Sequence, residues 1–210
     1  MNAKTGERLT WEQQHVVDVR DASFAARTYY EHRELRRFLS SHLPQGLLGA
    51  GCEVGAGFGR ITPILSEYCE RAVGFERELH FVTEASALYP FLTFTHIDTL
   101  ARLPAKEGAF DLALTFTVLQ HLVDVVCRDV SKEISRVVKP GGFLVLCEET
   151  DAAHRAGDTV NPASMCTIGR TVADYVQCFD TFELLATMPR LIEPTYGRRD
   201  VGTHMLFRRV

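Results

Sequence analysis

The chain has 210 residues, 46% of them hydrophobic and 24% charged, and a formal net charge of -4. Single domains usually hold about 100–200 residues, so this is the size and balance of one globular domain, not of a fibre, a charged tail or a disordered linker. The negative charge removes the general footprint of a nucleic-acid binder. A mean hydropathy near zero, with no apolar run near the roughly 18 residues that cross a bilayer, points to a soluble protein.

Residues 1–15 are polar and mixed in charge and lack the apolar core of roughly 7–15 residues that a secretory signal carries, so the expected location is cytoplasmic. From Tyr30 to Leu43, the residues Leu35, Phe38, Leu39 and Leu43 recur at helical spacing until Pro44 and Gly46 end the pattern. Leu47 to Val54 reads as a buried strand running into glycines, and Ile61, Ile64, Leu65 and Tyr68 then mark one face of a helix. Ala72–Phe75 follows as strand, Glu78–Tyr89 as helix, Leu92–Ile97 and Phe110–Phe116 as strands, and Val125–Val138 as helix. Pro140, Gly141 and Gly142 break that helix before a strand at Phe143–Cys147.

Glu148 to Ile168 is polar and rich in small residues and reads as a long loop, able to close over a site. Thr171–Phe179 reads as a short helix, and Phe182–Met188 and Val201–Phe207 as two closing strands around a loop with Pro194 and Gly197. Strands that alternate with helices need crossover connections, so the expected fold class is α/β, a doubly wound, mostly parallel sheet with helices on both faces. The six cysteines, at 52, 69, 127, 147, 166 and 178, contain no Cys-x-x-Cys pair. They are expected as buried free thiols, and no metal is expected.

The sharpest feature is Glu53-Val54-Gly55-Ala56-Gly57-Phe58-Gly59, where a strand ends and a helix starts. Glycines there let the backbone turn tightly and let a ligand approach the main chain. Glu76 follows the next strand and Asp98 the one after, so a glycine turn and two carboxylates line up along one edge of the sheet, outside the strand ends where open α/β sheets bind ligands. Arg60 stands where the third glycine of a dinucleotide fingerprint would be, and no phosphate-gripping Gly-x-x-x-x-Gly-Lys loop is present.

This series, continued by Phe110-Asp111-Leu112-Ala113-Leu114-Thr115, Val118-Leu119-Gln120-His121-Leu122 and Val138-Lys139-Pro140-Gly141-Gly142, resembles the class I S-adenosylmethionine-dependent methyltransferases over roughly Leu47 to Cys147. The resemblance implies a Rossmann-like seven-stranded sheet whose last strand, Gly202 to Arg208, is antiparallel. It implies an N-terminal helical cap over residues 1–46 and a cofactor-binding unit over 47–210, together one domain. It also implies S-adenosylmethionine as cofactor, with S-adenosylhomocysteine as product.

Carried over by residue, the resemblance places Gly55, Ala56 and Gly57 beside the methionine half of the cofactor, with Glu53 steadying the turn. Glu76 would take the ribose hydroxyls with Arg77 next to it, and Asp98 with the Thr99 backbone would meet the adenine amino group. The main chain at Thr115 and Phe116 would meet the α-ammonium, and Arg27 and Tyr30 belong to a helix folding over the ligand. A sulfonium cation suits such a crevice, and an aromatic face such as Phe58 or Tyr30 would add about 0.5–2 kcal/mol by cation–π attraction.

Methyl transfer is an in-line displacement, so alignment is the main task and a general base an optional addition. Base candidates beyond the fourth and fifth strands are His121, His154 and Glu149, with Glu148 its neighbour. Arg190, Arg198, Arg199, Arg208 and Arg209 read as a solvated charged edge. Asn161-Pro162-Ala163-Ser164 lacks the second proline and the aromatic residue of enzymes that methylate nucleic-acid amino groups, and it follows the wrong strand. The expected partner is therefore a small-molecule methyl acceptor, with neither nucleic acid nor membrane, as a monomer or a homodimer. A non-catalytic S-adenosylmethionine-binding module, an aminopropyl transferase and an NAD-dependent oxidoreductase of the same fold stay open as alternatives.

Overall fold

The computed structural model describes residues 22–164, 166–190 and 202–210. The sequence readings for residues 1–21, Pro194, Gly197, Arg198, Arg199 and Val201 lie outside them. In chain order the elements are α1 (Ala22–His42), β1 (Leu48–Val54), α2 (Thr62–Leu65), β2 (Cys69–Glu76), α3 (Leu79–Leu88), β3 (Thr93–His96) and β4 (Phe110–Phe116). A 3-10 turn at Leu119–His121 leads to α4 (Asp124–Val137), β5 (Val138–Glu149), β6 (Arg155–Gly157), β7 (Cys166–Ile168), α5 (Val172–Cys178), β8 (Phe182–Pro189) and β9 (Gly202–Arg209).

Seven strands form one sheet in the order β3-β2-β1-β4-β5-β9-β8. The pairs from β3 to β5 are parallel, and β9 runs antiparallel to both β5 and β8. This is the expected Rossmann-like sheet with its antiparallel last strand. The order reverses direction at the β1–β4 pair, and at such a switch point the two connections leave opposite faces and open a crevice beyond the strand ends.

Alternation along the strands divides the core in two. Ala113, Leu144, Leu146, Met205 and Phe207 face α4 and α5, whereas Leu112, Leu114, Val145 and Leu206 face α1 and α2. Leu35, Phe38 and Leu39 on α1 are at most 1% exposed. Each contributes about 1.5–3 kcal/mol by leaving water, and together they seat α1 on the sheet.

Three elements differ from the sequence reading. The helix expected from Ile61 to Tyr68 is a single turn, Thr62–Leu65, because the Tyr68 carbonyl already accepts the Leu48 N–H at 2.8 Å and so opens the sheet. The break at 138–142 is an excursion inside β5. Val138 pairs with Phe110 and Phe143 with Leu112, so two steps on β4 face five on β5. The long loop after Glu148 holds the β6–β7 hairpin, whose Cys166 and Ile168 are buried against Val123. No helix among the described residues is long and apolar enough to cross a membrane.

Candidate active site

The C-terminal ends of β1 to β5 lie along one edge of the sheet. At the end of β1 the chain turns through Gly55 and Gly57, with φ of 78° and 53°. A Cβ on Gly55 would lie 2.6 Å from Val118 Cγ2, so the β1 and β4 loops touch only because that atom is missing. Over Gly57 nothing lies within 4 Å of a built Cβ, which leaves an open cradle beside bare backbone. The N–H groups of Gly55 and Ala56 both donate to the Phe75 carbonyl, at 2.8 and 3.0 Å.

Glu76 ends β2 and is 8% exposed. Its Oε2 accepts from Gly57 N at 2.7 Å, and its Oε1 accepts from Arg77 N and Glu78 N at 2.7 and 2.9 Å. Each carboxylate oxygen accepts about two bonds, so Oε2 keeps room for another donor. Ile97 N donates to the Glu76 carbonyl at 2.9 Å, which brings exposed Asp98 beside it on the next strand end. Thr99 Oγ1 accepts from Ala101 N and fixes that turn. The Arg77 side chain turns away onto Glu78 at 2.9 Å. Phe58 packs on Phe81 with ring centroids 4.2 Å apart.

Glu53, at the top of β1, is 2% exposed and accepts from Thr62 Oγ1 at 2.5 Å. Burial pushes its carboxyl up to about 8, against the pull of the Thr62 hydroxyl and Arg60. At neutral pH it is largely a neutral acid inside the turn.

Thr117, directly after β4, has φ of 56° and is the one non-glycine among the described residues in the left-handed region. Such a conformation costs about 1–3 kcal/mol and needs support from its surroundings. Glu148, fully buried on β5, supplies it. It accepts from Thr115 Oγ1 at 2.8 Å and from Val118 N and Gln120 N at 3.1 Å each. The Thr115 side chain is thus committed to Glu148, which leaves Phe116 as the side chain at the end of β4 facing α1. Burial pushes the Glu148 carboxyl up, although these donors pull it back.

Beyond β4 and β5 the predicted base candidates form two distinct arrangements. His121 Nδ1 lies 2.9 Å from the Cys166 carbonyl and therefore carries the proton. Its Nε2 faces Gln120 Nε2 at 3.2 Å, and Gln120 Oε1 accepts from Glu149 N at 2.8 Å. Both ring nitrogens of His121 are engaged, Nδ1 holding the 3-10 turn to the hairpin and Nε2 meeting Gln120 within the turn. His154 Nδ1 instead lies 3.0 Å from Glu149 Oε2, the carboxylate being 6% and the histidine side chain 48% exposed. A carboxylate only accepts, so that contact sets the proton on Nδ1.

Several residues that build the site carry no motif. Glu31 on α1 is 2% exposed and bridges Arg27 Nε, at 3.0 Å, and Arg60 Nη1. Burial pushes its carboxyl up, but Arg60, Arg27 and Arg190 outweigh that and hold it below the usual range. The Arg60 guanidinium sits 4.9 Å over the Phe116 ring, and His32 Nε2 meets the Arg60 carbonyl at 2.6 Å. Arg60 thereby joins α1, the glycine turn and the end of β4. Tyr30, on the same helix, lies 4.9 Å under the Arg33 guanidinium.

Arg170 is 6% exposed and donates to the Leu119 and Leu122 carbonyls at 2.8 and 2.7 Å and to Asp124 at 2.7 Å. Arg190, expected on a solvated edge, is 6% exposed and 6.0 Å from the Phe116 ring, because Gly202 on β9 leaves space for its guanidinium. Arg208 meets the expectation and pairs with Glu183 at the surface. Arg209 instead donates to the Val138 carbonyl.

The fit to a cationic nucleoside rests on this donor and acceptor set: an open backbone cradle at Gly57, an acceptor oxygen of Glu76 next to it, and a second carboxylate on the neighbouring strand end. Fold, glycine turn and carboxylate series together resemble those of a class I methyltransferase domain. Residues 52–146 match the family model described as a methyltransferase domain.

A probable S-adenosylmethionine-dependent methyltransferase of Mycolicibacterium smegmatis is 33% identical over 100 residues, covering 47% of this chain and 36% of that protein. A malonyl-[acyl-carrier protein] O-methyltransferase of a Marinomonas species is 30% identical over 115 residues, covering 53% and 42%. The chain therefore spans well under half the length of these curated relatives. Among solved structures, the 1,6-didemethyltoxoflavin-N1-methyltransferase of Burkholderia thailandensis, with 1,6-didemethyltoxoflavin and S-adenosylhomocysteine bound, superposes with a TM-score of 0.65 at 17% identity, covering 91% of this chain and 80% of that one.

Proposed function

We propose that this chain transfers a methyl group from S-adenosylmethionine to a small-molecule acceptor. The observation that carries the reading is the Glu76 carboxylate seated at the end of β2 on the Gly57 N–H, beside the open cradle above that glycine. Gly55, Ala56 and Gly57 would hold the methionine half with the main chain at Thr115 and Phe116, Glu76 the ribose hydroxyls with Arg77 beside it, and Asp98 with Thr99 the adenine edge. Arg27 and Tyr30, on the helical cap, would close over it, with Glu53 and Thr62 bracing the turn. The bound cofactor supplies a methyl group activated by a positively charged sulfur.

The protein's own contribution is alignment, which accounts for as much as about 7–11 kcal/mol of such a barrier. Among the base candidates, His154 is the one we assign to an oxygen or nitrogen acceptor. Glu149 holds its Nδ1–H, so Nε2 is presented as a proton acceptor. Glu149 is then a positioning residue, and His121 a structural one whose nitrogens hold the turn. A small acceptor is supported by the net negative charge of the chain and by the small-molecule substrate of the B. thailandensis enzyme.

Calorimetry with S-adenosylhomocysteine and with NAD tests the reading. Saturable binding of the first and none of the second is expected. Glu76→Ala should weaken the first by about 10–100-fold, the value of one or two hydrogen bonds to a charged group. Binding of NAD alone would overturn it.

A further inference from the structure

One arginine reaches the site from the far side of the sheet. β8 runs in the direction of β5, because both are antiparallel to β9, so Arg190, directly after β8, lies at the same edge as the ends of β1 to β5. Its N–H donates to the Gly202 carbonyl at 2.8 Å, and Gly202 stands in register with Glu149, the carboxylate that orients His154. The side chain then crosses β9 and β5 toward β4. Its Nη1 donates to Cys147 Sγ on β5 at 3.9 Å, and its guanidinium lies 6.0 Å from the Phe116 ring at the end of β4.

That path is open because residue 202 has no side chain. A Cβ there would stand 2.7 Å from Arg190 Nε and 2.9 Å from its Cζ. A second guanidinium, that of Arg60, sits 4.9 Å over the same Phe116 ring. The nearby carboxylate, Glu31 on α1, accepts from Arg27 and Arg60. Burial pushes the Glu31 carboxyl up, and Arg190 helps Arg60 and Arg27 to hold it below the usual range. Among the described residues, three guanidiniums thus act on one carboxylate where β4 ends.

We propose that Arg190 grips an oxyanion of the methyl acceptor, a carboxylate or a phosphate, so that the acceptor is an anionic small molecule; this rests on the methyl transfer proposed above. A guanidinium carries five N–H donors in a planar fork that matches two oxygens of such a group at once. A thiol is a weak acceptor, so an oxyanion binds without having to displace a strong bond to Cys147. The Arg60 charge over the same ring adds to the attraction, and burial strengthens it. The direction of approach assigns Arg190 to the acceptor. Glu76 and Asp98 lie at the β2 and β3 ends, whereas Arg190 arrives from β8 in the row that holds Glu149.

The test is calorimetry on the full chain loaded with S-adenosylhomocysteine, titrated with succinate and, separately, with inorganic phosphate. Saturable binding of at least one is expected, and the tighter of the two tells a carboxylate acceptor from a phosphorylated one. Arg190→Gln should weaken that binding by about 10–100-fold, the loss of one or two hydrogen bonds to a charged group, with S-adenosylhomocysteine held as in the wild type. Gly202→Ala, which pushes the guanidinium off its path while leaving Arg190 in the chain, should weaken the anion in the same direction. If neither anion binds the loaded wild-type protein, or if both variants bind it unchanged, the assignment is overturned and the cofactor site stands. Equal loss of S-adenosylhomocysteine in Arg190→Gln also overturns it, placing Arg190 on the cofactor's own carboxylate. A chain that binds no S-adenosylhomocysteine removes the methyl transfer and this assignment with it.

Discussion

His121 and His154 both lie beyond the strand ends, yet their partners give them different work. A backbone carbonyl and a glutamine amide occupy the two nitrogens of His121, whereas a buried carboxylate orients His154 from one side only. With an oxygen or nitrogen acceptor, His154→Asn is expected to lower kcat by about 100-fold or more, within the range of a lost general base. Affinity for S-adenosylhomocysteine should not change. Glu149→Gln should lower kcat less, because the amide still accepts one hydrogen bond, and His121→Asn should show chiefly as lost stability. Steady-state kinetics beside thermal melts separates the three.

Glu53 makes a second statement at this scale. Its folded value of about 8 lies above the ordinary 4.5, so between those pH values the native state holds a proton that the unfolded chain releases. Stability from this residue is therefore full below about pH 4.5 and declines as pH rises to about 8, with a slope of up to about 1.4 kcal/mol per pH unit. Urea denaturation across that window should show the decline in the wild type and a flatter profile in Glu53→Gln.

At the scale of elements, two ties hold the site that no periodicity announced. Arg170 reaches back 48 residues to the Leu122 carbonyl and also satisfies that of Leu119, so Arg170→Ala strands buried acceptors worth about 1–3 kcal/mol each. Asp124, its exposed partner, should cost under about 1 kcal/mol when replaced by alanine. Comparing the two by chemical denaturation distinguishes carbonyl capture from the ion pair as the source of stability. Glu31→Gln, which leaves the Arg60 side of a buried pair uncompensated, should cost about 3 kcal/mol, the low end for such pairs because Arg27 is partly exposed.

Strands were the most legible elements, because buried parallel strands write themselves as apolar runs ended by glycine, proline or charge. Phe110–Phe116 begins and ends where its sequence says. The helix expected at Ile61–Tyr68 was misjudged because its apolar spacing reports burial, while the pairing of Tyr68 with Leu48 decides conformation. The β6–β7 hairpin escaped for a related reason. Its strands are three residues long, and only contact with Val123 and His121 gives them a buried side. No spacing or motif marks Glu31, and its partner Arg60 stands out in the sequence only for occupying the place of a glycine.

For the molecule as a whole, the doubly wound order and the switch between β1 and β4 set where a ligand lies before any side chain is considered. Glycine turn, Glu76 and Asp98 were readable along that edge because each directly follows a strand. The long-range supports behind them, Glu148 under the β4 turn and Arg60 across to α1, were not, since nothing in spacing couples residues so far apart. A crystal structure with S-adenosylhomocysteine bound tests the central claim most directly. The ribose hydroxyls are expected at about 2.7 Å from the Glu76 carboxylate, with the amino-acid half over Gly57. A nucleoside bound elsewhere, or Glu76 turned away from its sugar, would contradict it.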